Sequence, residues 1–245
     1  MDSGPPSSIA FVVHKPVGVI SSRVDSRPST VITKKSDPLR GQAYGGEARP
    51  TVFDIAGAAG FPVDYSLVGR LDAETSGIML FTNNIKLDRA IRDPPPVDAM
   101  ETDIKVKEYA MVVMGPRLFP GRYLDLLALT CELSQPFTFS RHGVIYSTQK
   151  ATVNVLRHWQ ETHLSRGRNN LGWCVELSVV IREGKHHQLR RMARRSKLTV
   201  LSLRRVRIAG LLCIDSIPEP GDCRWLEREE VEQLFAKMDN ANRLV

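Results

Sequence analysis

The most restrictive feature of this 245-residue sequence is the irregular order of its short apolar segments. Patterns typical of strands occur at 9–22, where a Pro-Gly turn separates two short strands, and at 77–84, 103–115, 172–184 and 198–211. Residues 151–159 suit either a strand or a strand that passes into a helix. Patterns typical of helices occur at 51–60, 85–96, 185–196 and 227–239. Because strands and helices mix without a regular βαβ alternation, the sequence predicts an α+β fold with a mixed, mostly antiparallel central sheet flanked by helices.

The segments outside these patterns suggest the domain boundaries. Residues 1–8 are polar and rich in proline and serine, so we expect a disordered tail followed by a single domain over 9–240. Residues 23–50 and 161–170 have the composition of polar loops, and 116–150 show no clear pattern. No apolar run approaches the ~20 residues of a membrane span and no targeting peptide is evident, so we expect no membrane association and a cytoplasmic or nuclear location.

Cysteine spacing argues against metal binding. The four cysteines stand at 131, 174, 213 and 223 and form no CxxC pair. We therefore expect reduced thiols, no zinc site and no other metal.

Positive charge is concentrated in one stretch. Residues 182–207 contain ten Lys or Arg and one acidic residue, whereas the rest of the chain is slightly acidic within a total net charge of +7. Apolar residues are interleaved with these charges, which favours a folded basic surface over a solvated tail. The commonest partner of such a surface is the phosphate backbone of a nucleic acid.

One carboxylate stands in an unusual setting. In LVGRLDAETSGIMLF (67–81), Asp72 lies between an extended approach and a strand. One interpretation is a simple turn, since aspartate favours turns and Ser-Gly punctuates them. The other is that Asp72 faces a substrate.

Four ordered motifs favour the second interpretation. The segments KPVGVISS, VGRLDAETSGIMLFTNN, KEYAMVV and EGKHHQLRRMARRSKLTVLSLRRVRIAGL resemble the motifs of the pseudouridine synthases, specifically the bacterial-type ribosomal RNA (RsuA-like) branch. The resemblance spans about residues 9–235. It implies the α+β catalytic fold of that family with a central RNA-binding cleft, isomerisation of uridine to pseudouridine in structured RNA, and no cofactor.

The resemblance also implies residue roles. Asp72 corresponds to the catalytic aspartate and Tyr109 to the tyrosine that stacks beside the target base. Leu189 corresponds to an apolar substrate contact, and Arg190 to the arginine paired with the aspartate. An ionised carboxylate beside the ribose can act as a nucleophile or stabilise positive charge, and a guanidinium at hydrogen-bonding distance lowers a carboxyl pKa by ~1–3 units in typical cases. We therefore expect Arg190 to keep Asp72 ionised.

Further basic residues are candidate substrate contacts. They are Lys15, Arg70, Lys185, His187, Arg191 and Arg194. Lys15 could instead belong to a turn, and Arg70 could simply lock the Asp72 turn. If His186 and His187 lay on a helix, their side chains would point ~100° apart, so RNA contact or surface exposure is favoured over metal binding.

Two other functions stay open at this stage. The basic surface would suit a non-catalytic RNA-binding protein with this fold equally well. A metal-dependent nuclease that uses the histidines is another possible function. Ribosomal RNA is the expected partner, with tRNA or another structured RNA as alternatives, and we expect a monomer. Many relatives of this branch carry an N-terminal S4-type RNA-binding domain, but the first motif begins by residue 14, so none is expected here.

Overall fold

The computed structural model describes residues 9–23, 49–92, 103–115, 123–165 and 168–243. Within them, the strands are β1 (Ala10–Lys15), β2 (Ser66–Leu67), β3 (Ser76–Thr82), β4 (Lys107–Met114), β5 (Thr138–Arg141), β6 (Val144–Ser147), β7 (Thr152–Ser165), β8 (Arg168–Ile181), β9 (Thr199–Ile208), β10 (Leu212–Cys213) and β11 (Cys223–Trp225). The helices are α1 (Val52–Ala58), α2 (Ile85–Arg92), α3 (Tyr123–Ser134), α4 (Gln188–Arg195) and α5 (Arg228–Arg243). The predicted tail at 1–8 and most of the predicted loop at 23–50 lie outside the described residues.

A mixed sheet organises these elements. Its strands follow the order β11-β1-β3-β9-β4-β8-β7, with β2 added beside β3 and β10 beside β9. The pairing of β3 with β9 is parallel, and the other strand pairs of this sheet are antiparallel. The prediction of an α+β fold with a mostly antiparallel sheet is confirmed.

The parallel pair joins two segments that are far apart in sequence. Ser76 lies opposite Arg204 and Gly77 opposite Arg205. Gly77 has φ +123°, and a Cβ built there would lie 2.5 Å from the backbone nitrogen of Arg205. Only glycine permits both this backbone conformation and this approach. The strand that leaves the Asp72 turn is thereby held against the strand that follows α4.

Apolar residues cover both faces of the central strands. On β1 and β3, Phe11 and Phe81 enter one buried cluster and Val12 and Leu80 the other, because successive strand residues point to opposite faces. The first cluster includes residues of α1, α3 and α4, and the second includes residues of α2 and α5. Helices therefore flank the sheet on both sides, as predicted.

Several local predictions need correction. The expected polar linker at 161–170 is mostly strand, because β7 and β8 continue as a two-stranded ribbon beyond Cys174, where the pairing of β8 with β4 ends. Strands of such a ribbon satisfy their backbone groups by pairing with each other, and therefore show little apolar alternation. The expected second strand at 19–22 is reduced to one bridge between Ile20 and Thr51. Residues 123–147, which showed no pattern, form α3 and the β5–β6 hairpin. No helix of the described ranges has the length and apolarity needed to cross a membrane.

Candidate active site

Asp72 lies in a turn that the N-terminal segment holds in place. The amide of Thr75 donates to the Asp72 carbonyl (3.0 Å), and the amide of Gly18 donates to the Ala73 carbonyl (2.8 Å). The Ser21 hydroxyl donates to the Leu71 carbonyl (2.8 Å) and accepts from the Leu71 amide (3.2 Å). The turn is thus fixed on both sides of Asp72, whose side chain is 34% exposed.

Lys15 is fully buried in this structure, an arrangement that suits the alternative of a turn residue, and its contact with substrate stays a prediction. Its ammonium donates to the carbonyls of Val19 (2.7 Å), Pro16 (2.8 Å) and, more weakly, Ala73 (3.4 Å). Burial lowers the pKa of Lys15 to about 7, although the negative charge of Asp72 opposes this shift. Lys15 therefore supports the Asp72 turn from inside the protein.

Arg190 reaches the same turn from α4. Its Nη2 donates to the Glu74 carbonyl (2.9 Å) and lies 3.5 Å from Thr75 Oγ1, and its Nε lies 3.7 Å from Glu74 Oε2. The expected direct bond from Arg190 to the Asp72 carboxylate does not occur among the described contacts. Arg190 instead holds Glu74 and Thr75, two and three residues after Asp72, and acts on Asp72 through its charge.

The side chain that contacts the Asp72 carboxylate is His187, whose Nε2 lies 3.3 Å from Asp72 Oδ1. Burial alone would raise the pKa of Asp72. The hydrogen bond and charge of His187, and then the charges of Arg190 and His186, outweigh burial and hold the pKa of Asp72 below its usual value. The carboxylate is therefore ionised at neutral pH.

The two histidines were expected within the helix predicted at 185–196, but they precede α4. Helix α4 begins at Gln188, and His187 is the preceding N-cap residue, with a left-handed backbone (φ +53°). The rings of His186 and His187 consequently stack at 3.9 Å between centroids with 10° between their planes, instead of pointing ~100° apart. The sequence signal that could have shown this is the absence of an Asn, Asp, Ser or Thr cap before the helix.

Tyr109 and Leu189 are both largely buried. Tyr109 lies on β4 opposite Arg205 of β9 and is 7% exposed, and Leu189 on α4 is 4% exposed. Both belong to the hydrophobic cluster on the α4 side of the sheet. Their contacts with a target base stay predictions.

The other predicted binding residues have different surroundings. Arg194 is exposed on α4, and Lys185 lies 4.0 Å from the buried carboxylate of Glu183. Arg191 donates from Nε to the His186 carbonyl (3.1 Å), and its guanidinium lies 4.3 Å from the ring centre of Phe139 on β5. Arg191 therefore fastens the β5–β6 hairpin to α4, a role that the sequence did not indicate.

A groove of about 450 Å³ is lined in part by Gly69 and Arg70, which lead into the Asp72 turn, although Asp72 itself is not among its lining residues. Its lining includes Arg70, as expected for a substrate contact, together with Arg23 and Arg92, which sequence reasoning missed. Arg23 donates to the carbonyls of Val63, Asp64 and Tyr65, which fix its position. Because these carbonyls carry no net charge, they do not neutralise the guanidinium. The full lining is Ser21, Ser22, Arg23, Phe53, Leu67, Gly69, Arg70, Arg92 and Gly184.

Comparison with known proteins agrees with this geometry. The model of the RNA pseudouridylate synthase family matches residues 9–195. The Ribosomal small subunit pseudouridine synthase A of Vibrio cholerae is 25% identical over 225 residues, which cover 92% of this chain and 73% of the relative. A Helicobacter pylori protein described as an uncharacterized RNA pseudouridine synthase is 28% identical over 231 residues, covering 94% of this chain and 72% of the relative. A crystal structure of a pseudouridylate synthase, 19% identical, shares the fold with a TM-score of 0.57 over 92% of this chain and 73% of that chain.

The matched family and the fold together define an RNA-modifying isomerase. The chain belongs to the RNA pseudouridylate synthase family. Within that family it resembles the RsuA-like branch, which includes the Vibrio cholerae relative.

Proposed function

We propose that this protein converts uridine to pseudouridine in ribosomal RNA, with Asp72 as the catalytic carboxylate. The observation that carries the proposal is the state of Asp72: its pKa is held below the usual value, its side chain is one-third exposed, and the residues that lead into its turn line an arginine-rich groove. The names of the similar bacterial proteins support ribosomal RNA as the substrate class.

The chemistry requires a group of this kind. The bond between N1 of the base and C1′ of the ribose breaks, the base turns, and C5 bonds to C1′ while the C5 proton leaves. During this exchange C1′ becomes electron-poor. The ionised Asp72 carboxylate can attack C1′ or stabilise its positive charge, and both routes end with the carboxylate regenerated.

The surrounding residues support that role of Asp72 without taking part in the bond changes themselves. The charges of His187 and Arg190 favour the ionised form of Asp72, and the backbone bonds from Gly18 and Ser21 restrict the turn. A fixed carboxylate pays little reorganisation when the ribose arrives, which is the basis of electrostatic preorganisation.

The target uridine must also leave its stack, which costs a few kcal/mol. Phosphate contacts from α4 and from the groove can offset this cost, and an aromatic contact such as Tyr109 contributes about 1–3 kcal/mol per base where it stacks. We assign Tyr109 to the floor beneath the base, where its phenol can also help remove the C5 proton.

The direct test measures release of tritium from ribosomal RNA transcribed with [5-³H]uridine, since loss of the C5 hydrogen accompanies each turnover. We expect the wild-type protein to release tritium and Asp72→Asn to release none. RNA affinity should stay within about threefold, because one neutral side chain barely changes a contact with many phosphates. Asp239→Asn, an exposed change on α5, is the matched control and should retain activity.

Two results would contradict the proposal. Tritium release by Asp72→Asn at the wild-type rate would exclude Asp72 as the catalytic group. RNA binding by the wild-type protein with no release from any ribosomal RNA would favour the non-catalytic RNA-binding alternative.

A further inference from the structure

Two adjacent histidines, His186 and His187, stack their rings on each other just before α4. His187 adopts a left-handed backbone, which is uncommon for a residue other than glycine and occurs often at functional sites. This conformation turns the two adjacent rings to the same side, where they stack at 3.9 Å. A left-handed N-cap that makes no side-chain cap bond to its own helix needs another explanation for its side chain.

The side chain of His187 is directed at Asp72. An ionised carboxylate only accepts hydrogen bonds, so Nε2 must carry a proton for the 3.3 Å contact to be attractive. Among the described residues, no other ion pair reaches the Asp72 carboxylate. The neighbouring cations bind elsewhere, since Arg190 holds Glu74 and Lys15 holds backbone carbonyls.

The loop that carries the histidines is anchored from behind. The buried carboxylate of Glu183 accepts from the Gln149 amide (2.6 Å) and from Gln188 Nε2 (2.8 Å). The Gln188 side-chain oxygen accepts from the Lys185 amide (3.1 Å). These bonds fix the backbone on both sides of His186 and His187, so the distance to Asp72 is set by the fold.

His186 supports this contact by stacking on the His187 ring. Burial and then the charges of His187 and Arg141 lower the pKa of His186, and Asp72 only partly opposes this shift. His186 therefore favours its neutral form and stacks on His187 as an uncharged ring. The charged groups that act on His186 are Asp72, Arg141 and Arg191. Arg190 and the buried Lys15 act on Asp72 itself.

We propose that His187, supported by the stacked ring of His186, is a positioning residue that orients Asp72 and keeps it ionised. This inference rests on the proposed function of Asp72. It adds a direct contact from His187 to the effect of Arg190, which holds the turn after Asp72 and acts on the carboxylate through its charge.

Two amide substitutions test this role. In His187→Asn the amide nitrogen replaces Nδ1 and is too short to reach Asp72, while asparagine tolerates the left-handed backbone. In His187→Gln the amide nitrogen takes the place of Nε2 and keeps the donor. His158→Gln, an exposed change on β7, is the matched control.

We expect His187→Asn to lower the single-turnover rate of tritium release about tenfold at saturating RNA, corresponding to ~1.4 kcal/mol of barrier. Without His187, burial is opposed by fewer charges, so the pKa of Asp72 rises and the acid limb of the rate–pH profile moves to higher pH. His187→Gln should retain most of the rate, and RNA affinity should stay within about threefold in both variants.

Each other outcome has a defined meaning. If His187→Asn keeps the wild-type rate and acid limb while Asp72→Asn is inactive, the positioning role is wrong and the proposed function stands. If His187→Asn loses RNA affinity but not the rate at saturation, His187 is an RNA contact and the inference is also overturned. If Asp72→Asn is active, the proposed function itself fails. Should His187→Asn not fold by circular dichroism, His187→Gly removes the ring without backbone strain and must show the same loss of rate.

Discussion

Replacement of Gly77 by alanine should destabilise the protein through one backbone contact. A Cβ at this position would lie 2.5 Å from the nitrogen and 2.9 Å from the carbonyl carbon of Arg205, and closer still to its oxygen. These are backbone atoms of the adjoining parallel strand, so no side chain can move aside. The backbone angle of +123° adds a second cost, because it belongs to a region almost restricted to glycine.

The two costs can be added approximately. A strained backbone angle costs about 1–3 kcal/mol and overpacking about 1–3 kcal/mol, so Gly77→Ala should lower the free energy of unfolding by about 2–6 kcal/mol. That loss is a large part of a typical total of about 5–15 kcal/mol. Because β3 leaves the Asp72 turn and β9 follows α4, activity should fall together with stability.

Gly60→Ala separates the two costs. Gly60 also has a positive φ (+80°), but a Cβ there meets no atom within 4 Å. It should therefore show only the backbone cost of about 1–2 kcal/mol. Urea unfolding followed by tryptophan fluorescence measures both variants. Equal losses in the two, within about 0.5 kcal/mol, would refute the close approach of Gly77 to Arg205.

Two further predictions concern charge. Between about pH 7 and about 10.5 the unfolded chain keeps a proton that folded Lys15 has released, so stability should rise with pH in this window, by up to about 2 kcal/mol from pH 7 to pH 9. Urea unfolding of Lys15→Met should lack this part of the rise, and an identical pH dependence in both proteins would contradict the assignment. Arg194→Gln should weaken RNA binding and reduce the slope of log affinity against log salt by about 1, whereas Arg228→Gln on α5 should not. An unchanged slope in Arg194→Gln would place Arg194 away from the RNA.

Local patterns were sufficient to predict the fold class and the family. The irregular mixture of strand and helix patterns correctly predicted an α+β fold, because side-chain periodicity reports which faces of each element are buried. The ordered motifs correctly predicted the family. Local patterns failed on the β7–β8 ribbon, where strand pairing without a covering core leaves little apolar alternation to detect.

The arrangement around Asp72 could not be obtained in that way. Lys15 and His187 are both basic residues within the quoted motifs. In the structure Lys15 is buried against backbone carbonyls, whereas His187 faces the Asp72 carboxylate. Their positions depend on the parallel pairing of β3 with β9 and on the anchoring of the loop before α4. The contact of His187 with Asp72 and the pairing of β3 with β9 join residues more than a hundred positions apart, and the spacing of neighbouring residues carries no information about them. The residue types therefore indicated the kind of chemistry, whereas tertiary packing determined the partner of each charged group.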